Sequence, residues 1–369
     1  MKKNLIFSGL CIICLLVGSF AMYFYISKHP ATFQKIITKS ERKVKIDDTG
    51  ISEAVEKVYD SVVTVSTYKN ASAYASGTGF VYKKDGNTSY ILTNAHVIKN
   101  ADEVYITLTN GNTEKVEIVG SNTMADIAVL SVDSSKVIAY AEIGSSDKSK
   151  IGDTVFAVGA PLDSAYSWTV TRGILSGKDR LVEVSQSDTN SRSIYSDSYL
   201  MNVLQTDAAI NSGNSGGPLA NGNGEVIAIT SLKLVSSGVE GMGFAIPIET
   251  ALKYAEKIIN KEEIITPYIG VSMLNINEAY YYREFRSIVE SSKVESGVVV
   301  ATVESSSPAS KSGLKQGDII LKIDNVKTKN IAYLRYILYK HEVGDKIKVT
   351  YLRDGKESTV NVTLGKNNS

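Results

Sequence analysis

The stretch Gln205-Thr206-Asp207-Ala208-Ala209-Ile210-Asn211-Ser212-Gly213-Asn214-Ser215-Gly216-Gly217-Pro218-Leu219 decides how this chain folds. Its centre, Gly213-Asn214-Ser215-Gly216-Gly217, satisfies the G-x-S-x-G pattern of a serine on a strained strand-to-helix elbow. That elbow needs a helix straight after the serine and a histidine late in the chain. Here Gly216-Gly217-Pro218 follows the serine, and the strand-like run from Val226 to Leu232 comes next. The only later histidine is His341, in a separate block of sequence. The elbow reading fails on both counts. What remains is a glycine-framed serine between strands, where glycine permits backbone angles that aim neighbouring N–H groups at one point.

Upstream, His96 lies in Thr93-Asn94-Ala95-His96-Val97, immediately after a strand. Asp126 lies thirty positions later, in Ala125-Asp126-Ile127-Ala128-Val129-Leu130, and Ser215 follows after a further 89. A serine hydroxyl is a poor nucleophile until a base accepts its proton, and neutral imidazole suits that near pH 7. The imidazole in turn needs a carboxylate to fix its tautomer and stabilise its charged form. Asp126 opens an apolar run, where an unpaired carboxylate is costly to desolvate; His96 as its partner offsets that cost. Taken singly, a Gly/Ser/Asn cluster is a turn and an aspartate beside a strand is solvated. Their joint order, His–Asp–Ser, is that of chymotrypsin-like serine proteases. The loop Gly213-Asn214-Ser215 is the expected oxyanion hole, with the N–H groups of Gly213 and Ser215 as donors. Losing one such donor typically removes about 3–4 kcal/mol of transition-state stabilisation.

The rest of the chain is punctuated like a β protein. Ser61 to Tyr68 is dense in β-branched residues, and from about Ile51 the composition reads as strand-like. Hairpins turn at Asp85-Gly86-Asn87 and at Asn110-Gly111. Strands recur at Ala128 to Val132, Thr154 to Val158, Val203 to Gln205 and Val226 to Leu232. Such spacing with few helices argues a barrel or sandwich. Ser185 to Ser198 reads as a mobile surface loop. Helical spacing then sets in at Ala251, Leu252, Ala255, Ile258 and Ile259. A second block from Thr266 to Gly365 carries a helix around Ile331 to Lys340 and a hairpin at Asp354-Gly355.

The 369 residues hold 40 Lys+Arg against 39 Asp+Glu, so no bulk field drives nucleic-acid binding. The three histidines (His29, His96, His341) and two cysteines (Cys11, Cys14) are too scattered for a zinc site. No metal or cofactor is implied. Lys2 and Lys3 precede 22 uncharged residues from Leu5 to Ile26, long enough to cross a bilayer as a helix. A weak cleavage pattern at Ser19-Phe20-Ala21 is overrun by the apolar residues after it, which favours an uncleaved anchor. The positive-inside rule weighs Lys2 and Lys3 against Lys28, Lys35, Lys39, Arg42, Lys43 and Lys45, but long C-terminal domains translocate regardless of such counts.

On these residues the chain from Ile51 to Leu364 resembles the HtrA (Deg) family of serine proteases. Ser76-Gly77-Thr78-Gly79-Phe80 and Gly243-Phe244-Ala245-Ile246-Pro247 add to the motifs above. Ser212 and Ala160-Pro161-Leu162-Asp163 depart from the usual pattern without removing a catalytic group. The second block resembles the single PDZ domain of membrane-anchored members, through Ser307-Pro308-Ala309, Gly313-Leu314-Lys315-Gln316-Gly317-Asp318 and Tyr268-Ile269-Gly270-Val271. The resemblance implies an all-β chymotrypsin-like double β-barrel protease domain plus a smaller α+β PDZ domain, preceded by an N-terminal transmembrane helix. The expected divisions are 1–26 cytoplasmic tip and anchor, 27–50 polar basic stalk, 51–250 protease, 251–265 connecting helix and 266–369 PDZ domain. It further implies a homotrimer in the bacterial cell membrane, with the protease facing outward and acting on unfolded or misfolded polypeptides. Tyr268, Ile269, Gly270 and Val271 would take C-terminal peptides. Ala209 stands where trypsin-like enzymes place an acidic residue, and Met242 where the family lines its pocket, so cleavage after small or medium apolar residues is expected. A chaperone with a latent protease and a regulatory protease of one membrane substrate are the rival expectations.

Overall fold

The computed structural model describes residues 2–28, 49–159, 168–184, 198–211, 213–231 and 241–366. Two units divide the chain, Met1–Asp48 and Thr49–Ser369. The first contains one helix, α1 (Lys2–Lys28). Leu15, Leu16, Val17, Phe20 and Phe24 on it are all exposed. Among residues whose side chains are described, no helix is long and apolar enough to cross a membrane; the apolar run of the sequence begins before them, at Leu5. Most of the expected stalk, and residues 185–197 of the expected loop, lie outside the described residues.

The second unit opens with helix α2 (Thr49–Tyr59), not with a strand. Ala54 and Val58 are buried on it, with Ile51 and Val55 packed alongside, a spacing of three and four residues that turns one apolar face inward. Six strands then close a barrel: β1 (Val62–Lys69), β2 (Ser72–Asp85), β3 (Thr88–Thr93), β4 (Glu103–Thr107), β5 (Thr113–Asn122) and β6 (Ile127–Asp133), in the order β1-β2-β3-β6-β5-β4. Pairing of β1 with β4 completes the ring. A short helix α3 (Ala95–Ile98) follows β3.

The second barrel uses β7 (Glu142–Ile143), β8 (Thr154–Gly159), β9 (Thr169–Val184), β10 (Tyr199–Thr206), β11 (Pro218–Asn221), β12 (Glu225–Thr230) and β13 (Gly243–Pro247). The order is β11-β8-β9-β10-β13-β12-β7, and β11 also pairs with β12, closing it. The long strand β9 has no clear sequence signal because half of its positions are exposed and Gly173 and Gly177 interrupt it. Gly173 is required, since a Cβ there would lie 2.3 Å from both Asp207 Oδ1 and Ala208 N. Phe80, Leu92, Phe156 and Ile229, drawn from both barrels, share one core.

Helix α4 (Ile248–Ile259) starts three residues before the expected boundary. Its first turn carries Glu249, which accepts Ser145 Oγ at 2.9 Å, Ser146 N at 2.9 Å and Ser146 Oγ at 2.5 Å. Burial pushes the Glu249 carboxyl up, but these bonds prevail and hold it below its ordinary range. The remaining strands are β14 (Pro267–Tyr268), β15 (Val271–Asn275), β16 (Val298–Val303), β17 (Ile319–Ile323), β18 (Val326–Lys327), β19 (Lys346–Arg353), β20 (Lys356–Thr363) and β21 (Gly365–Lys366). Helices α5 (Ile276–Ala279), α6 (Arg283–Ser292), α7 (Pro308–Ser312) and α8 (Ile331–Leu338) interleave with them. The sheet runs β15-β16-β17-β19-β20, leaving β15 at an edge, while β14 pairs with β21. Arg353 ties this small domain together by donating to both oxygens of buried Asp318, at 2.6 and 2.7 Å, and to Gly313 O at 2.8 Å.

Candidate active site

Strand register brings His96 and Asp126 together. Thr93, the last residue of β3, pairs with Ala128 near the start of β6. His96 follows that strand end and Asp126 precedes β6, so the two occupy one corner of the first barrel. In α3 the side chains of Ala95, Val97 and Ile98 are buried, which leaves His96 turned outward with its side chain 31% exposed. His96 Nδ1 lies 2.9 Å from each carboxylate oxygen of Asp126. The His96 backbone N–H also donates to Asp126 Oδ1, at 3.1 Å. Ser231 Oγ donates to Asp126 Oδ2 at 2.9 Å. The carboxylate is 1% exposed, so these donors replace the water it has lost. Burial first, and the Asp126 charge second, push the nearby Tyr199 hydroxyl well above its ordinary range.

Ser215 comes from the second barrel, in the turn between β10 and β11, and is buried. That turn is pinned across the seam between barrels. Thr78 on β2 donates its N–H to Ser215 O at 2.8 Å and its hydroxyl to Gly213 O at 2.5 Å. Gly216 N–H donates to Thr230 O at 2.9 Å. Gly213 has φ +113° and Gly216 φ +84°, angles open to glycine. Asn214 differs from its flanking residues: its N–H donates to Asn211 O at 3.2 Å, so it does not face an oxyanion. Its side chain donates to Ala209 O at 3.0 Å and accepts from Asn211 N at 3.1 Å, bracing the turn. Ser212 and residues 160–163 lie outside the described residues.

Ala209 and Met242 sit at one end of a strand pair, because Thr206 pairs with Gly243. Ala209 is exposed and Met242 is 37% exposed. Thr171 Oγ1 also donates to Ala209 O, at 2.9 Å. Sequence reasoning missed Thr78 and Ser231, whose partners lie 135 and 105 positions away, and the bracing part of Asn214.

A groove of about 790 Å³ lies over the small domain, lined by residues including Tyr268, Ile269, Gly270, Val271, Met273 and Leu338. Ile269 O accepts Ala309 N at 2.8 Å and Gly270 O accepts Glu304 N at 3.0 Å. Trans peptides then point the N–H groups of Gly270 and Val271 the opposite way. Gly270 has φ +83°, and a Cβ on it would lie 2.2 Å from Ser307 Cβ. Tyr268 Oη donates to Glu304, which pushes the Tyr268 hydroxyl up to about 12. On the groove helix α8, Arg335 Nη1 donates to Ser198 O, just before β10, at 2.8 Å. Tyr339, next along the chain from α8, packs against the cores of both domains.

Comparison with known proteins agrees with this architecture. Residues 77–229 match the trypsin-like peptidase domain family and residues 267–364 the PDZ domain family. The chain is 38% identical over 334 residues to the serine protease Do-like HtrB of Bacillus subtilis (strain 168), covering 86% of this chain and 71% of that one. It is 35% identical over 350 residues to the serine protease Do-like HtrA of Lactococcus lactis subsp. cremoris (strain MG1363), covering 87% and 84%. Among solved structures, the serine endoprotease from Yersinia pestis superposes with TM-score 0.63 at 31% identity, covering 86% of this chain and 98% of that one. The HtrA-type protease AlgW with decapeptide gives TM-score 0.64 at 28% identity, covering 86% and 99%.

Proposed function

The chain belongs to the HtrA family of serine proteases, and from that premise we propose that His96, Asp126 and Ser215 carry out peptide-bond hydrolysis on unfolded extracytoplasmic polypeptides. The paired bonds from His96 to Asp126 are the observation that carries the reading. Ser215 Oγ attacks the scissile carbonyl while His96 accepts its proton. The N–H groups of Gly213 and Ser215 bind the resulting oxyanion. His96 then delivers the proton to the leaving amine, which departs and leaves an acyl-serine. Water, deprotonated by His96, attacks the acyl group and releases the new carboxyl end as Ser215 regains its proton.

Ala209 and Met242 support a pocket without charge, so cleavage follows small or medium apolar residues. Such side chains are buried in folded proteins, and a substrate that exposes them is an unfolded one. The groove takes substrate C-termini, with edge strand β15 offering strand addition. Arg335 on α8, bonded to Ser198, supports coupling of that groove to residues 185–198 of the protease. The long uncharged run of α1 supports an anchor in the cell membrane, and the family resemblance supports both domains lying outside and three copies assembling through their protease domains.

The test is casein degradation by the full chain in detergent micelles, beside Ser215→Ala. Degradation by the wild type alone supports the reading; equal degradation by both removes Ser215 from it. Mass spectrometry of the fragments checks the pocket, and cuts mainly after Lys or Arg overturn that assignment.

A further inference from the structure

Asp126 adopts φ +55° although it carries a side chain. A residue in that left-handed region persists only where its surroundings over-determine it. One of those surroundings is Asn94. Its Nδ2 donates to the main-chain oxygen of Asp126 at 2.9 Å, and Asn94 is fully buried. The main chain of Asn94 reaches the other two segments as well. Its carbonyl accepts Val97 N at 3.2 Å, closing the turn that carries His96. Its nitrogen lies 3.0 Å from where a Cβ on Gly216 would stand, beside the serine.

The other end of the amide makes the case sharper. Asn94 Oδ1 is buried and meets no donor among the described residues. An unpaired buried acceptor destabilises a fold, and an apolar side chain at this position would carry none. Turning the amide over would set oxygen against the Asp126 carbonyl. Core stability therefore does not account for an amide at this position, whereas the bond to Asp126 does. We propose that Asn94 is a positioning residue, which holds the left-handed backbone of Asp126 so that the carboxylate meets both the N–H and the ring of His96. The proposal rests on the triad reading given above.

The test uses the full chain in detergent micelles, with kcat and KM on fluorescent casein and thermal melting in parallel. Asn94→Leu keeps the branched shape and number of side-chain heavy atoms, at a larger volume, and removes both the donor and the unpaired oxygen. The expected result is a kcat lower by about a hundredfold, the scale of a misplaced catalytic group. KM stays near the wild-type value, so the loss falls on kcat alone. Melting falls somewhat with the larger volume of leucine, and the loss of kcat far exceeds the fraction unfolded. Asn94→Ala, which is smaller, gives the same kinetic signature where leucine does not fit. A wild-type kcat overturns the proposal, as does a loss that falls on KM instead or a loss of rate that only tracks the fraction unfolded. Ser215→Ala in the same assay separates the two levels. If it is inactive while the Asn94 variants are normal, the triad stands and the positioning role falls. If it is active, the triad falls and the positioning role with it.

Discussion

Gly216→Ala tests the packing beside the serine most directly. A Cβ on Gly216 would lie 2.3 Å from Thr78 O, 2.4 Å from Thr93 Oγ1 and 3.0 Å from Asn94 N. Thr93 Oγ1 donates to Thr78 O at 2.7 Å, so the methyl group would enter the flank of a formed hydrogen bond. Three penalties combine: a left-handed backbone under a side chain, overpacking, and loss of that bond. Together they amount to about 3–6 kcal/mol. The turn cannot yield without moving Ser215, because Ser215 O is held by Thr78 N and Gly216 N by Thr230 O. A displacement of about 1 Å costs on the order of a hundredfold in rate. The assay pairs casein degradation with thermal melting, using Gly111→Ala as the comparison. Gly111 has φ +85° but open space around it, so it should lose only about 1–2 kcal/mol and keep its activity. If Gly216→Ala matches Gly111→Ala in both rate and melting, the packing argument is wrong.

Two further outcomes follow from groups away from the serine. Arg353→Ala strips buried Asp318 of its paired donors and leaves it only Lys315 N, a change worth about 3–5 kcal/mol. The melting transition of the small domain should fall by about 10 °C or more, and an unchanged transition refutes the assignment. Glu249 is held below its ordinary carboxyl value of 4.5, so its contribution is present above that value and is lost as pH falls through the folded one. Wild type should therefore lose more melting temperature than Glu249→Gln between pH 7 and pH 3; parallel slopes would count against the clasp on Ser145 and Ser146.

The sequence by itself determined the candidates for chemistry and the division into two β-rich domains. Ser215 was legible because Gly-Gly-Pro after it excludes a helix, and His96 and Asp126 because each adjoins a strand-like run. Hairpins at Gly86-Asn87 and Asn110-Gly111 were legible from turn chemistry, which is local. The composition from Ile51 reads as strand-like because the β-branched residues just after helix α2 dominate it, although Ile51, Ala54, Val55 and Val58 carry helical spacing. Only the tertiary structure decided what holds the site. Thr78 on Gly213 and Ser215, Ser231 and Asn94 on Asp126, and Arg335 on Ser198 join segments 32 to 137 positions apart. Periodicity and turn signals report a residue's neighbours along the chain. A hydrogen bond across the seam of two barrels depends on strand register and on which side chains burial has left without water, and neither has a local signature.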